Sequence, residues 1–158
     1  GVQKAPDHSL LVDARLRVAG TENVWAAGDI ARFPAAHLDG TAVRIEHWRL
    51  ALQHGRVAAR NIAATDEDFT GVPFFWTQQY DRRVNFVGYG LHPDETVVAG
   101  VPPHDFIAFY CSEGRPHAAA GTRDKQLCAF NELMRAGRLP QAERLREDPD
   151  LDLVELVG

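Results

Sequence analysis

The stretch Val24-Trp25-Ala26-Ala27-Gly28-Asp29 decides how this chain of 158 residues is interpreted. Its four apolar residues predict a short buried strand that ends at a glycine. A glycine at a strand end lets the backbone approach a ligand closely, because no Cβ stands in the way. Asp29 would then lie at the carboxyl end of a strand, where open α/β sheets bind ligands, and could accept hydrogen bonds from a sugar-like hydroxyl. Taken alone, the six residues fit an ordinary strand and turn better, so the rest of the chain must decide.

The composition argues against several classes of partner. The formal net charge is −5, which leaves no basic stripe to displace phosphate counterions, so we expect no nucleic-acid partner. No apolar run approaches the roughly 20 residues of a membrane helix, so we expect no membrane partner. Cys111 and Cys128 are too few and too poorly spaced for a disulfide framework, a CxxC pair or a zinc site. A reducing, cytoplasmic setting is therefore expected.

The first part of the chain, residues 1–70, has a mixed α/β pattern. Ser9 to Arg17 alternate apolar and charged residues, as in a strand pair or a strand with turns, and Asp29 to Val43 predict a loop. From about Glu46 to Ala64, apolar residues recur every three or four positions, which predicts a long helix. The breakers that follow, up to Pro73, indicate a domain boundary.

The second part, residues 71–158, predicts an antiparallel sheet followed by helices. Aromatic and β-branched segments separated by turns predict strands over residues 74–80, 84–89, 95–101, 105–112 and 117–121. Asp124 is expected to cap a helix through Met134, and Pro140 to open a last helix through about Arg146. The predicted fold class is α+β, in which an α/β segment precedes a small antiparallel-sheet domain with C-terminal helices.

Two further stretches suggest a bound planar group. Arg44-Ile45-Glu46-His47-Trp48 lies at the start of the long helix, where free N–H groups and the helix dipole favour an electron-rich edge such as that of a flavin. Glu46 alone is more often a helix-capping acid, and His47 alone a surface histidine. Phe74-Phe75-Trp76 alternate between the faces of a strand, so one face could wall a planar cofactor, although consecutive aromatics are usually core.

Together these stretches strongly resemble the C-terminal third of the ferredoxin reductase and apoptosis-inducing-factor-like family of flavoprotein reductases. The matching segments cover nearly the whole chain: 12–17, 24–31, 44–48, 53–58 and 72–81, with looser matches at 106–110 and 123–124. The resemblance implies that residues 1–70 are the C-terminal segment of an FAD-binding domain. It implies that residues 71–158 are the terminal reductase domain.

The resemblance also implies seven FAD-contacting residues, and no catalytic or metal-binding residue: Gly28, Asp29, Ile30, Glu46, His47, Trp48 and Trp76. Asp29 would bind the ribityl chain beside the backbone of its two neighbours. The helix start would face the isoalloxazine largely through backbone groups, and Trp76 would lie near the flavin.

In this family NAD(P)H reduces FAD, and the electrons leave singly to a ferredoxin- or Rieske-type acceptor. The family's GxGxxG turn for the FAD pyrophosphate does not occur in this sequence, and neither does its NAD-binding domain. The 158 residues alone are therefore expected to be catalytically incomplete and to bind FAD weakly, if at all.

Other interpretations stay open at this point. The chain could be a non-enzymatic dimerisation or partner-docking module, and an exposed edge at Val24 to Ala27 would favour a homodimer. Five basic residues could form a docking patch for an acidic ferredoxin, although a solvated face explains them more simply: Arg82, Arg83, Arg115, Arg123 and Lys125. His92-Pro93 echoes an acid–base motif of disulfide reductases, but no CxxC accompanies it, so we interpret it as a turn.

Overall fold

The computed structural model describes residues 2–90 and 92–158. They divide into two compact units, Gly1–Gly71 and Val72–Gly158. The first unit contains three strands and one helix: β1 (Leu10–Leu11), β2 (Ala31–Ala35), β3 (Thr41–Val43) and α1 (Trp48–Ile62). The second contains five strands and three helices: β4 (Phe74–Gln79), β5 (Arg82–Gly88), β6 (Glu95–Val101), β7 (Asp105–Ser112), β8 (Arg115–Gly121), α2 (Asp124–Arg135), α3 (Ala142–Glu147) and α4 (Leu153–Val157).

The first unit is built on a three-stranded sheet in the order β1-β2-β3, so the loop predicted over residues 29–43 is wrong. β2 pairs in parallel with β1 through Ala31 and Arg32 and antiparallel with β3 from Phe33 onward. Small alanines and Pro34 hide the alternation of buried and half-buried residues in this strand. Pro34 is tolerated because only the β3 side of β2 is paired at that position.

Val24 to Ala27 do not form the predicted buried strand. The segment makes one isolated bridge, between Arg17 and Trp25, and Val24 is 45% exposed. Its backbone bonds to the turn that precedes it, where the Val18 N–H donates to the Val24 carbonyl at 2.8 Å. The apolar residues Val24 to Ala27 fit the pattern of a buried strand. Their backbone bonds to a short turn on one side, however, and this does not form a strand ladder.

The long helix predicted from about Glu46 is confirmed as α1, which begins two residues later at Trp48. Its buried face recurs at three- and four-residue spacing: Leu50, His54, Val57, Ala58 and Asn61. Asn61 joins the helix end to the chain on either side, because its amide donates to the Arg15 carbonyl at 2.9 Å and to the Glu67 carbonyl at 2.8 Å.

The second unit is a five-stranded antiparallel sheet in the order β4-β5-β8-β7-β6, with helices after the last strand. This confirms the α+β fold class. The core lies between the sheet and the helices, and its buried apolar side chains include Val87, Val97, Ile107, Phe109, Leu127, Phe130, Leu133, Leu145 and Leu153.

Asp124 does not cap α2 as expected. Arg123 occupies the N-cap position without a side-chain cap, and Asp124 lies in the first turn. The Asp124 carboxylate instead accepts a hydrogen bond from the buried amide of Asn85 on β5. A carboxylate in the first turn still complements the helix dipole.

Candidate functional site

The three residues expected to contact a ribityl chain, Gly28, Asp29 and Ile30, form one 3-10 turn that leads directly into β2. Gly28 has a φ of +75°, in the left-handed region that favours glycine. A Cβ at this position would lie 3.0 Å from the Ala51 Cβ on α1. Only glycine therefore lets the turn lie this close to the helix.

Two side chains hold the backbone of this turn. The Gly28 N–H donates to His54 Nδ1 at 3.3 Å, and Arg44 Nε–H donates to the Asp29 carbonyl at 2.6 Å. These bonds hold the peptide group before Gly28 and the peptide group after Asp29. The Asp29 side chain is exposed, and within residues 2–90 and 92–158 its carboxylate accepts no hydrogen bond. It is therefore available to a ligand hydroxyl.

His54 is fully buried on α1. Its ring stands nearly perpendicular to the rings of Phe33 and Phe69, with centroids 4.6 Å and 4.5 Å away. Burial lowers the pKa of His54 to about 4, so the side chain is neutral at pH 7. Because Nδ1 accepts a hydrogen bond, the proton resides on Nε2. Nε2 has no hydrogen-bond partner in the part of the chain that the structure describes.

Arg44 connects the turn to the segment before α1. Its guanidinium lies 2.5 Å from a Glu46 carboxylate oxygen and 3.5 Å from Asp7. Asp7 is also paired with Arg32 at 2.8 Å. Hydrogen bonds from Ser9 and Arg32 hold the pKa of Asp7 well below its usual range. The Arg44 guanidinium therefore contacts both the Glu46 carboxylate and the Gly28–Ile30 turn.

The helix start is organised by His47, which is the N-cap of α1. Its Nδ1 accepts the Arg49 N–H at 3.1 Å, an interaction that requires a neutral imidazole at this nitrogen. Burial, followed by the charge of Arg49, lowers the pKa of His47. Trp48 is the first helical residue and is largely exposed, with its ring 5.7 Å from that of His47.

Trp76, the seventh predicted residue, lies on β4 in the second unit and is 38% exposed. The guanidinium carbon of Arg83 lies 5.1 Å from its ring centroid, in cation–π geometry. Arg83 Nε–H also donates to the Asn85 side-chain oxygen at 3.1 Å, and Asn85 donates to Asp124. The Trp76 indole therefore lies beside a chain of polar contacts that ends at α2.

Two members of the possible basic docking patch, Arg83 and Arg123, already contact other residues of the chain. Arg123 donates two hydrogen bonds to Asp105, at 2.9 Å and 3.1 Å, and lies 3.9 Å from Asp150. Arg83 is occupied by the contacts with Trp76 and Asn85 described above. Among residues 2–90 and 92–158, no group of three His, Cys, Asp or Glu side chains could hold a metal, and none of the helices is long and apolar enough to cross a membrane.

Sequence reasoning did not single out His54 or Arg44 as functional. Both lie in segments that carry the family resemblance, but neither was given a role. A histidine on the inward stripe of an amphipathic helix is a polar residue at a buried position, and this signal could have identified His54. The contact between Arg44 and the Asp29 carbonyl spans 15 residues, and no spacing rule predicts it.

The fold of the second unit is that of a terminal domain of reductases. Residues 74–157 match the family model described as reductase C-terminal. The chain belongs to this family.

Relatives extend the similarity into the first unit. The chain is 33% identical over 150 residues to the ferredoxin–NAD(+) reductase component of the anthranilate 1,2-dioxygenase system of Burkholderia cepacia, covering 93% of this chain and 36% of that protein. It is 33% identical over 117 residues to apoptosis-inducing factor 3 of Mus musculus, covering 73% of this chain and 19% of that protein. The chain thus spans between about a fifth and about a third of the length of these relatives.

Solved structures share the fold over the full length. The covalent putidaredoxin reductase–putidaredoxin complex superposes with a TM-score of 0.84 at 25% identity, covering 99% of this chain and 37% of that chain. A ferredoxin reductase from Rhodopseudomonas palustris has the same fold with a TM-score of 0.84 at 22% identity, covering 100% of this chain and 38% of that chain. The predicted resemblance to the ferredoxin reductase and apoptosis-inducing-factor-like family is confirmed.

Proposed function

We propose that this chain is the C-terminal portion of an FAD-dependent oxidoreductase that passes electrons from NAD(P)H to a ferredoxin. The relatives and neighbours named above support this class of reaction. The observation that carries the proposal is the Gly28–Ile30 turn, which two side chains hold while the Asp29 carboxylate stays exposed. Residues 1–70 would then contribute the C-terminal segment of an FAD-binding domain, and residues 71–158 the terminal domain.

The residues present fit an FAD contact. Gly28 lies against α1 in a space that a Cβ would fill, and Asp29 can accept hydrogen bonds from ribityl hydroxyls. The backbone at the start of α1 offers N–H groups and the positive end of the helix dipole to an electron-rich ring edge. Bound FAD would supply the conversion between two-electron and one-electron transfer. No residue of this chain is proposed to be catalytic.

The side chains at the helix start would act indirectly. Glu46 is paired with Arg44, so its negative charge is compensated and only its backbone remains to meet a flavin. His47 uses Nδ1 to cap the helix, which keeps the orientation of the first turn fixed. Trp48 and Trp76 are each exposed enough to offer a ring surface to a planar group.

We propose that the electron acceptor is a ferredoxin-type iron–sulfur protein, and that a Rieske-type protein is the alternative acceptor. Both cysteines are free, with Cys111 buried, and this pattern supports a reducing, cytoplasmic setting. A homodimer is a further proposal, in which Val24 to Ala27 would act as a segment with one isolated bridge rather than as the edge of a strand ladder.

The test is a chimera in which this chain replaces the matched C-terminal segment of putidaredoxin reductase. We expect the chimera to purify with bound FAD and to reduce an iron–sulfur acceptor with NAD(P)H. A chimera that is folded by circular dichroism but colourless, even with added FAD, would overturn the proposal and favour a docking module.

A matched pair of variants assigns the FAD contact to Asp29. Asp29→Asn should weaken FAD binding by roughly 10-fold or more, since a hydrogen bond to a charged group contributes about 1.5–3 kcal/mol. Asp39→Asn makes the same change at an exposed residue with a φ of +51°, a conformation that asparagine adopts readily, and should leave FAD binding unchanged.

A further inference from the structure

The backbone around Asp29 is held by two side chains that come from different parts of the first unit. His54 lies on α1 and accepts the N–H of Gly28, the residue before Asp29. Arg44 lies in the segment between β3 and α1 and donates to the carbonyl of Asp29 itself. The two bonds hold the planar peptide group before Gly28 and the one after Asp29, so they restrict the two-residue segment from which the Asp29 side chain leaves the backbone.

A histidine at position 54 is energetically unfavourable compared with an apolar side chain of similar size. The imidazole is fully buried, and its Nε2 has no hydrogen-bond partner within the described residues. A buried donor without a partner is unfavourable, whereas a leucine of similar volume would carry no polar atom into this site. Within residues 2–90 and 92–158, the ring makes its polar contact through Nδ1, with Gly28. Packing against Phe33 and Phe69 would not by itself require a nitrogen there.

We propose that His54 and Arg44 are positioning residues that fix the Gly28–Ile30 turn, so that the Asp29 carboxylate is presented to the ribityl hydroxyls of FAD. This inference rests on the proposed function and deepens it, because neither residue contacts the ligand. His54 provides the acceptor for Gly28 only as a neutral imidazole, and its burial keeps it neutral at pH 7. Arg44 adds the second point of support and compensates the Glu46 charge beside the turn.

The first experiment follows amide hydrogen exchange by NMR in the 158-residue chain without FAD. In His54→Leu the Gly28 N–H loses its acceptor, so we expect its exchange to accelerate by roughly 3- to 10-fold, the equivalent of one hydrogen bond. His54→Gln, whose side-chain oxygen can accept the same N–H, should restore slow exchange. A buried swap one turn further along α1, Val57→Leu, should leave the Gly28 amide unchanged.

Thermal unfolding separates positioning from packing. In His54→Leu the lost Gly28 acceptor is offset by removal of the unpartnered Nε2, so the midpoint should shift little. If His54 acted through packing alone, Leu and Gln would change stability according to their fit, and the Gly28 amide would not distinguish them. Unchanged Gly28 exchange in a folded His54→Leu variant overturns the inference.

The second experiment measures the FAD dissociation constant in the chimera by flavin fluorescence. We expect His54→Leu to weaken binding by roughly 3- to 10-fold, with recovery in His54→Gln and no change in Val57→Leu. A chimera that binds FAD equally well with Leu or His at this position overturns the positioning role and leaves the proposed function standing. A chimera that binds no FAD with His54 in place overturns the proposed function, and Gly28 exchange still decides whether His54 holds the turn.

Discussion

The two units of this chain are stabilised in different ways. The second unit consists of antiparallel ladders of four to seven residue pairs over a continuous apolar core. The first unit has strands of two to five residues, and single side-chain hydrogen bonds such as those from Asn61 and Arg44 connect its irregular segments. Apart from Trp76, substitutions in the second unit should therefore act on stability alone, and those in the first unit also on the geometry of the candidate site.

The largest effect is expected in the core of the second unit. Phe130 on α2 is fully buried, with its ring 5.6 Å from that of Phe109. Phe130→Ala should lower the free energy of unfolding of this unit by about 3–5 kcal/mol, because it leaves a cavity and removes apolar burial. Urea denaturation followed by circular dichroism measures this. Phe130→Leu is the milder control, and a loss below about 1 kcal/mol in Phe130→Ala would contradict the comparison between the units.

The first unit should show a pH dependence that originates in His54. Its pKa is about 4 in the folded state and about 6.5 in the unfolded chain, so the unfolded state binds more protons between these values. Stability is therefore fully present above pH 6.5 and falls by about 3 kcal/mol as the pH drops to about 4. The lowered pKa of His47 acts in the same direction, so the variant His54→Gln isolates the contribution of His54.

The measurement is urea unfolding of wild type and His54→Gln at several pH values between 7 and 4. The free energy of unfolding of wild type minus that of His54→Gln should fall by about 3 kcal/mol between pH 7 and pH 4. A constant difference across this window would mean that His54 does not change its protonation on unfolding.

The two units also differ in how much of their structure sequence patterns predict. β6 and β7 were predicted to the residue, because each is a run of β-branched and aromatic side chains bounded by turns. In contrast, β2 was predicted as a loop, since Ala31, Pro34 and Ala35 carry little β propensity. Its strand pairing comes from tertiary contacts with β1 and β3, which a window of sequence does not contain.

The candidate site divides in the same way. Gly28, Asp29 and the helix start were located because family resemblance marks their positions. The hydrogen bond from Gly28 to His54 spans 26 residues, and the one from Arg44 to Asp29 spans 15. Such contacts depend on how α1 and β2 pack, and no periodicity encodes them.

Two glycines with the same backbone conformation test whether the turn depends on contact with α1. Gly28 and Gly40 have φ values of +75° and +78°, but a Cβ would contact Ala51 only at Gly28 and would meet nothing within 4 Å at Gly40. Gly40→Ala should cost about 1–2 kcal/mol from strain in the left-handed region alone. Gly28→Ala should cost about 1 kcal/mol more, because its Cβ displaces the turn from the helix.

Urea unfolding of the first unit measures both variants, and FAD affinity in the chimera gives a second readout. Only Gly28→Ala should weaken FAD binding, since Gly40 lies in the turn between β2 and β3. If the two variants lose the same free energy of unfolding, the close approach of the turn to Ala51 does not contribute to stability.

The smallest effect tests whether a hydrogen-bonding side chain in the second unit acts only on stability. Asp152 is the N-cap of α4, where its carboxylate accepts the Val154 N–H at 2.9 Å and the Gln126 amide at 2.8 Å. Asp152→Ala should lower the free energy of unfolding by about 1 kcal/mol, and Asp152→Asn, which retains a capping oxygen, by less. The hydrogen bond from Gln126 lowers the pKa of Asp152, so the loss in Asp152→Ala should shrink as the pH falls below the usual range of an aspartate. The FAD affinity of the chimera should be equal in wild type and Asp152→Ala. A change in affinity larger than the change in stability would mean that the second unit also positions the ligand through single polar contacts. The contrast between the two units would then not hold.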